Sequence, residues 1–245
     1  MQEIVYHTQY QLENSYFWFV ARNQILNKVV SEFCNLNSDF NLLDVGCGNG
    51  GFSHHLINKC NVIGIDTSET ALDYASKRGI KNLHNVILKD FDKTPYGHIN
   101  AVTIFDVIEH IEDDKEVVSQ IYDVLANDSY VFATVPAYQW LWSKHDEIHM
   151  HYRRYSIKNF KKLFQDSGFK IIYTSYFNSL LFIPAVLKRF LDKLTGQDKS
   201  NDSPIDEVSP LMNKIFTKIF LSERKLIPNV SLPFGLSILI IAKKY

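Results

Sequence analysis

Residues 42–51 read LLDVGCGNGG: a short apolar run that ends in four glycines within six positions. An apolar run of strand length closed by glycines reads as a buried β-strand entering a tight turn. Glycines there let the backbone turn sharply and come close to a ligand. Gly46, Gly48 and Gly51 also satisfy G-x-G-x-x-G, the spacing of a dinucleotide-binding turn, though that pattern alone is weak. Downstream, NVIGID (61–66) is a second strand. It ends on Asp66, the place from which a carboxylate holds ribose hydroxyls. Ser68 caps a helix, ETALDYASKRG, that closes at Gly79. Further strands are expected at Asn85–Lys89, Ile99–Asp106, Tyr130–Val135, Phe169–Tyr176 and Leu236–Ala242. Helices are expected at Phe52–Lys59, at Asp113–Ala126 and after Ser156. Strands alternating with helices imply an α/β fold: a largely parallel sheet covered on both faces, with its chemistry at the carboxyl ends of the strands.

Composition narrows the function class. The 245 residues carry 26 basic and 27 acidic side chains, a net charge of −1, and 46% are hydrophobic. This is a globular composition, read as one domain over residues 1–245. Near-neutral charge leaves no electrostatic footprint for a nucleic acid, so none is expected as partner. Cys34, Cys47 and Cys60 are an odd number without metal-ligand spacing, which fits reduced thiols. The N-terminus lacks the basic start and apolar core of a secretory signal. The longest apolar run, Leu180–Leu187, contains Pro184 and falls short of a membrane span, so a cytoplasmic location is expected.

The acids around the glycine turn bear on the cofactor. Asp44, two residues before the first glycine, would repel a pyrophosphate but could hold an ammonium or fix the loop. Asp90, expected at the end of the third strand, could accept from an adenine amino group. Such a set suits a cationic sulfonium better than an anionic dinucleotide. LLDVGCGNGGFS, VIGIDTSETAL, ILKDFD and FDVIEHIED, in that order, resemble the class I S-adenosylmethionine-dependent methyltransferases. LPFGLSILIIAKK (232–244) is similar to the last strand of that family. The resemblance implies a Rossmann-like seven-stranded sheet of order 3-2-1-4-5-7-6 with the last strand antiparallel. It implies S-adenosylmethionine as cofactor and S-adenosylhomocysteine as product. It places Gly46, Gly48 and Gly50 along the methionine part with Asp44 nearby, Asp66 on the ribose, and Asp90 with Phe91 around the adenine. Asp106 would face the methionine end, and Cys47 and Thr67 would lie in the same two turns.

Residues 1–36 are read as an aromatic helical lid resembling the one that precedes the sheet in such enzymes. In it Arg22 could pair with the cofactor carboxylate, and Tyr16 and Trp18 could close over a sulfonium. His110 in DVIEH is either a general base or a polar residue shaping the pocket. The segment after the fifth strand, WLWSKHDEIHMHYRRY (140–155), is the densest cluster of chemical side chains. Its W-S-x-H-D and H-x-R-R-Y parts resemble a subset found in bacterial polysaccharide and natural-product biosynthesis. There His145, supported by Asp146, is read as the base, and Arg153 or Arg154 as the binder of an anionic acceptor. Trp142, His149, His151 and Tyr155 complete the expected acceptor surface. HDEIH has Asp where a zinc-protease helix carries its Glu, and no third-ligand spacing follows, so no metal is expected.

The function expected is O-methylation of a small-molecule or glycan-precursor acceptor, with phosphate or carboxylate on the acceptor left open. The alternatives are an NAD(P)-dependent oxidoreductase and a non-catalytic S-adenosylmethionine-binding protein. Residues 179–232 are read as a helical insertion before the last strand. Its polar loop Gly196–Pro210 and its apolar start, 179–191 with Lys188 and Arg189, leave open a lid or a membrane-surface contact.

Overall fold

The computed structural model describes residues 3–195 and 208–245. Seven strands form one sheet: β1 (Asn41–Val45), β2 (Asn61–Asp66), β3 (Asn82–Asn85), β4 (Ile99–Phe105), β5 (Leu125–Pro136), β6 (Lys170–Phe177) and β7 (Ser237–Lys243). Their order is β3-β2-β1-β4-β5-β7-β6. The pairs β1–β2, β1–β4, β2–β3 and β4–β5 are parallel. β7 enters between β5 and β6, antiparallel to both. The expected topology and the antiparallel last strand are both present.

Strand alternation splits the core into two layers, because successive side chains point to opposite faces. Leu43, Ile63, Ile65, Val102, Ile104, Val131, Ala133 and Ile240 join one apolar cluster. Leu42, Val62, Ala101, Phe132, Leu239 and Ile241 join the other. Two helices cover the first face: α4 (Asp114–Val124), through Val117, Val118 and Ile121, and α6 (Ile157–Asp166), through Phe160, Leu163 and Phe164. The second face carries α2 (Phe17–Phe33) and α3 (Glu69–Lys77). The stripe Ala21, Ile25, Leu26, Val29, Val30 gives α2 its buried side. The N-terminal aromatic segment is therefore part of the core layer, with α1 (Glu3–Leu12) ahead of it. Phe132 is fully buried at the centre, and its truncation to alanine should cost about 3–5 kcal/mol.

Two elements differ from the sequence reading. The expected helix Phe52–Lys59 is only a short 3-10 turn, Ser53–His55. The Ser53 hydroxyl donates to the Asp44 carboxylate, which ties this turn to β1. The expected strand Asn85–Lys89 lies three residues too late. The strand is the polar NLHN (82–85), and a 3-10 turn, Leu88–Asp90, follows it. Asparagine side chains hold that edge: Asn82 Nδ2 donates to Asn61 Oδ1 at 2.7 Å, and Asn61 Nδ2 to Asn41 Oδ1 at 2.6 Å.

Within 179–232 lie α7 (Phe182–Thr195) and α8 (Pro210–Ser222). α8 packs on α2 and sends Phe220 into the core. Ile183, Leu187, Phe190 and Leu191 on α7 are exposed. Most of the expected polar loop, 196–207, lies outside the described residues.

Candidate active site

A cavity of about 680 Å³ opens at the carboxyl ends of β1, β2 and β4. That size is ample for a nucleoside-sized ligand, since ligand pockets run from about 300 to 1,000 Å³. Gly46, Cys47, Gly48, Asn49 and Gly51 line one wall. The turn is fixed from below: Gly46 N and Cys47 N both donate to Ile65 O, at 2.8 and 3.0 Å. Gly46 has φ +66, and a Cβ there would sit 2.4 Å from Val107 Cγ2. Gly48 has φ +51, and a Cβ there would meet nothing within 4 Å, so its backbone borders open space. Gly50 is not among the lining residues. A Cβ there would be 2.6 Å from Ile80 Cδ1, so this glycine serves the packing against α3.

Buried acids anchor the turn. Asp44, 4% exposed, accepts from Thr103 Oγ1 at 2.6 Å and from the Ser53 hydroxyl. Burial pushes its pKa up to about 6, against the pull of those two hydroxyls and of Arg22. Asp66 accepts from Gly48 N and Ser68 N, each at 2.9 Å, so it ties the first turn to the second. Burial raises its pKa as well. Arg22 Nη2 reaches Asp106 Oδ2 at 2.5 Å, and Arg22 Nη1 reaches Asn23 Oδ1 at 3.3 Å. Its guanidinium lies over the Trp18 ring, 5.0 Å from the centroid. Arg22 Nε is buried without a hydrogen-bond partner among the described residues. Asp106 sits at φ 57, an uncommon backbone state for a residue with a side chain, immediately after β4.

The lining contains seven carboxylates (Glu13, Asp44, Asp66, Asp106, Glu112, Asp113, Glu116) against two cations, Arg22 and Lys89. A doubly charged pyrophosphate is repelled by such a wall. A ligand carrying a cation and one carboxylate fits it better, and Arg22 is the buried cation of that wall. Thr67, Trp18 and His110 also line the cavity, as the sequence reading expects. Glu13 and Asn23 are lining residues that it missed. The Glu13 carboxylate lies where a Cβ on Gly51 would go, and it pairs with Arg78 at 2.7 Å. Asn23 Nδ2 donates to Gly51 O at 3.0 Å. No local motif marks either one, since both act through the chain's fold onto the glycine turn.

Several expected site residues lie elsewhere. Asp90 is exposed and outside the lining, while Val86, Ile87, Leu88 and Lys89 line the cavity. The Phe91 ring packs against His84 and Tyr96, 5.6 and 6.1 Å between centroids. Tyr16 is also outside the lining and packs against Phe17, 4.8 Å between centroids.

The segment after β5 is bonded mostly to itself. Its ends are joined where Ala137 and Tyr155 bridge, with Tyr138 N donating to Tyr155 O at 2.8 Å. Between them stand a 3-10 turn, Gln139–Leu141, and the short helix α5 (Lys144–Ile148). Asp146 is fully buried. It accepts from Arg154 Nε at 2.7 Å, His151 Nδ1 at 2.9 Å and Ser143 N at 2.9 Å. Burial alone would raise its pKa, but the bonds from His151 and Arg154 outweigh that and hold the carboxyl well below the usual range. Arg154 also donates to Ala137 O at 3.2 Å. Arg153 pairs with Asp114 at 2.9 Å and donates to Glu112 O at 2.7 Å, and Tyr155 OH donates to Asp114 Oδ2 at 2.8 Å.

The hydrogen bonds of Asp146 go to Arg154, His151 and Ser143 rather than to His145, the base that the sequence reading pairs with it. Trp142, His145, His149, His151, Arg153, Arg154 and Tyr155 are all outside the cavity lining. His145 is exposed and lies against His149, 4.2 Å between ring centroids. The ring of His110 is edge-on to His151 at 4.6 Å. Burial and the neighbouring His151 and His149 lower the His110 pKa to about 4, so it is neutral at pH 7.

A family model described as a methyltransferase domain matches residues 13–174. A ubiquinone biosynthesis O-methyltransferase of Rickettsia bellii is 33% identical over 103 residues, 40% of this chain and 42% of that protein. A tRNA (guanine-N(7)-)-methyltransferase of Clostridium botulinum is 30% identical over 102 residues, 40% of this chain and 43% of that protein. The matched stretch thus spans less than half the length of either relative. A crystal structure of a SAM-dependent methyltransferase from Archaeoglobus fulgidus superposes with a TM-score of 0.55 at 19% identity. It covers 91% of this chain and 94% of that one, a likeness of fold.

Proposed function

The chain belongs to the methyltransferase-domain family, and on that premise we propose that it transfers a methyl group from S-adenosylmethionine to an oxygen of a small-molecule or glycan-precursor acceptor. The observation that carries the cofactor half is the acidic wall with its one buried arginine. The bound cofactor supplies an electrophilic methyl group on a sulfonium.

The residues present fit it. The unpartnered Arg22 Nε is a buried donor for the cofactor's carboxylate, and Asp106 holds the guanidinium in place. Each Asp66 oxygen keeps a lone pair beyond its bond to a backbone N–H and can accept from ribose hydroxyls. The open space above Gly48 is where a ligand can approach the backbone. Ile87 and Leu88, which line the cavity where Asp90 and Phe91 do not, would flank the adenine. Trp18 and Phe19 flank the cavity and would help exclude water. In-line transfer needs such alignment and dryness more than covalent help from the protein.

An anionic acceptor loses its support, because both arginines that suggested it are engaged internally. A neutral acceptor suits the acidic wall better. The exposed apolar face of α7 supports contact with a lipid surface, as a lipid-linked acceptor would require.

Calorimetric titration with S-adenosylhomocysteine and, separately, NAD tests the cofactor. Saturable binding of the first alone is expected, weakened about 10- to 100-fold in Arg22→Gln by loss of a charged hydrogen bond. Binding of NAD alone would return the glycine turn to its dinucleotide meaning. Acceptor trials with sugars and lipid-linked glycans would follow, and binding without turnover on any of them would favour a non-catalytic protein.

A further inference from the structure

Beside the cavity, two elements far apart in sequence bring three ligating side chains together. Glu109 and His110 belong to the 3-10 turn Ile108–His110 that follows β4, and His151 belongs to the segment after β5. One donor atom from each lies within 4.8 Å of the others. Backbone bonding fixes the juxtaposition: Tyr152 N donates to Glu109 O at 2.7 Å.

Glu109 is 1% exposed, and its Oε2 has no hydrogen-bond partner among the described residues. A carboxyl oxygen buried without a partner is costly, and a cation bound there would compensate it. His151 carries a second sign. Its Nδ1 is bonded to Asp146 Oδ1 at 2.9 Å, which leaves Nε2 as the ring nitrogen that can ligate. Metal-bound histidines nearly always have their other nitrogen held this way, by a carboxylate or carbonyl that sets the tautomer. Asp146 is itself held by Arg154 and Ser143, so the orienting group is rigid. His110 adds a nitrogen and lines the cavity, so the cluster has an open side toward the ligand space.

We propose that Glu109, His110 and His151 form a binding site for one divalent transition-metal cation, open toward the cavity. Two imidazoles and one carboxylate suit zinc, manganese, iron(II) or cobalt(II). Magnesium and calcium prefer all-oxygen sets. Donors on one such ion lie roughly 3.4 Å apart, given bonds of about 2.1 Å, so the three side chains draw inward on binding. This departs from the sequence expectation of no metal. It also lies outside the HDEIH stretch weighed against a zinc-protease helix in the sequence. The role of the ion rests on the oxygen-transfer reading above. A hydroxyl of the acceptor bound at the open position would become more acidic and lose its proton to solvent, and its oxygen would bond the methyl carbon as the sulfonium C–S bond breaks, releasing S-adenosylhomocysteine. No histidine need then act as base.

Full-length protein, stripped with chelator and dialysed, is titrated with cobalt(II) chloride and followed by visible absorption. S-adenosylhomocysteine titration and the unfolding midpoint are measured on the same samples. One cobalt ion per chain is expected, with affinity reduced at least about tenfold in both Glu109→Gln and His151→Gln. Unchanged S-adenosylhomocysteine affinity in Glu109→Gln would show that the variant is folded. A folded parent that binds S-adenosylhomocysteine but no cobalt would overturn the metal site and leave the transferase reading intact. So would cobalt binding that both variants keep, which would place the ion elsewhere. Cobalt binding without S-adenosylhomocysteine binding would support the site and sink the transferase reading instead.

Discussion

The glycine turn after β1 and the segment after β5 lie at the same edge of the sheet, the first organised by two buried aspartates and the second by one. In the first, Asp44 and Asp66 take hydroxyls and backbone N–H groups beneath the turn, so the upper side of the backbone faces the cavity. In the second, Asp146 takes a guanidinium, an imidazole and a backbone N–H from its own segment, and none of the expected acceptor residues there lines the cavity. The first stretch has few reactive side chains and builds a binding wall. The second has many, and most of its polar groups bond to one another or to the adjoining turn. Where a polar side chain spends its hydrogen bonds therefore says more about its role than how many such side chains stand together.

The contrast can be broken most forcefully at Asp146. Asp146→Ala leaves the 8% exposed Arg154 without its buried partner, and destabilisation of about 3–5 kcal/mol in urea is expected. Normal stability with lost turnover would instead make Asp146 part of the chemistry.

Asp44 sharpens the other side through pH. Its carboxyl stays protonated in the folded chain up to about pH 6, whereas the unfolded chain releases that proton near its ordinary value of 3.8. The native state thus binds more protons across that window, and this contribution to stability falls as pH rises from about 4 to 6. The total is at most roughly 3 kcal/mol. Asp44→Asn should lack that slope, so the stability difference between parent and variant should change across the window and level off above it. Parallel profiles would mean that burial does not perturb Asp44.

The smallest effect is expected at His145. It is exposed and outside the cavity lining, so His145→Ala should shift stability by no more than about 0.5 kcal/mol and turnover by less than about twofold. A large loss of turnover would restore its assignment as base.

The sheet was legible because apolar runs with glycine or proline punctuation are a local signal. The same holds for Asp66 and the glycine turn, whose places on the cavity wall follow from position at strand ends. β3 was misplaced because Val86, Ile87 and Leu88 look like a strand but serve the core and the cavity wall. The true strand is held by an asparagine ladder, a pairing visible only once β1, β2 and β3 are adjacent. Arg153 and Arg154 were legible as cations, yet their partners Asp114 and Asp146 are settled by how the loop folds back. The orphaned oxygen of Glu109 has no sequence signature. It follows from the burial of a turn that looks from composition like an ordinary polar cap.

The insertion of β7 between β5 and β6 also sets an order of events during synthesis. Among the described strands β6 pairs only with β7, an isolated bridge from Tyr176 to Leu232 aside, so when it leaves the ribosome it has no neighbouring strand, and β5 has an open edge beside it. Both wait for residues 237–243, the last in chain order of the seven sheet strands. Until then the nascent chain displays two unpaired strand edges, the surfaces most prone to join other chains. A chain cut before residue 237 would keep the whole glycine turn and its acids, yet it should accumulate as aggregate rather than as a smaller working protein.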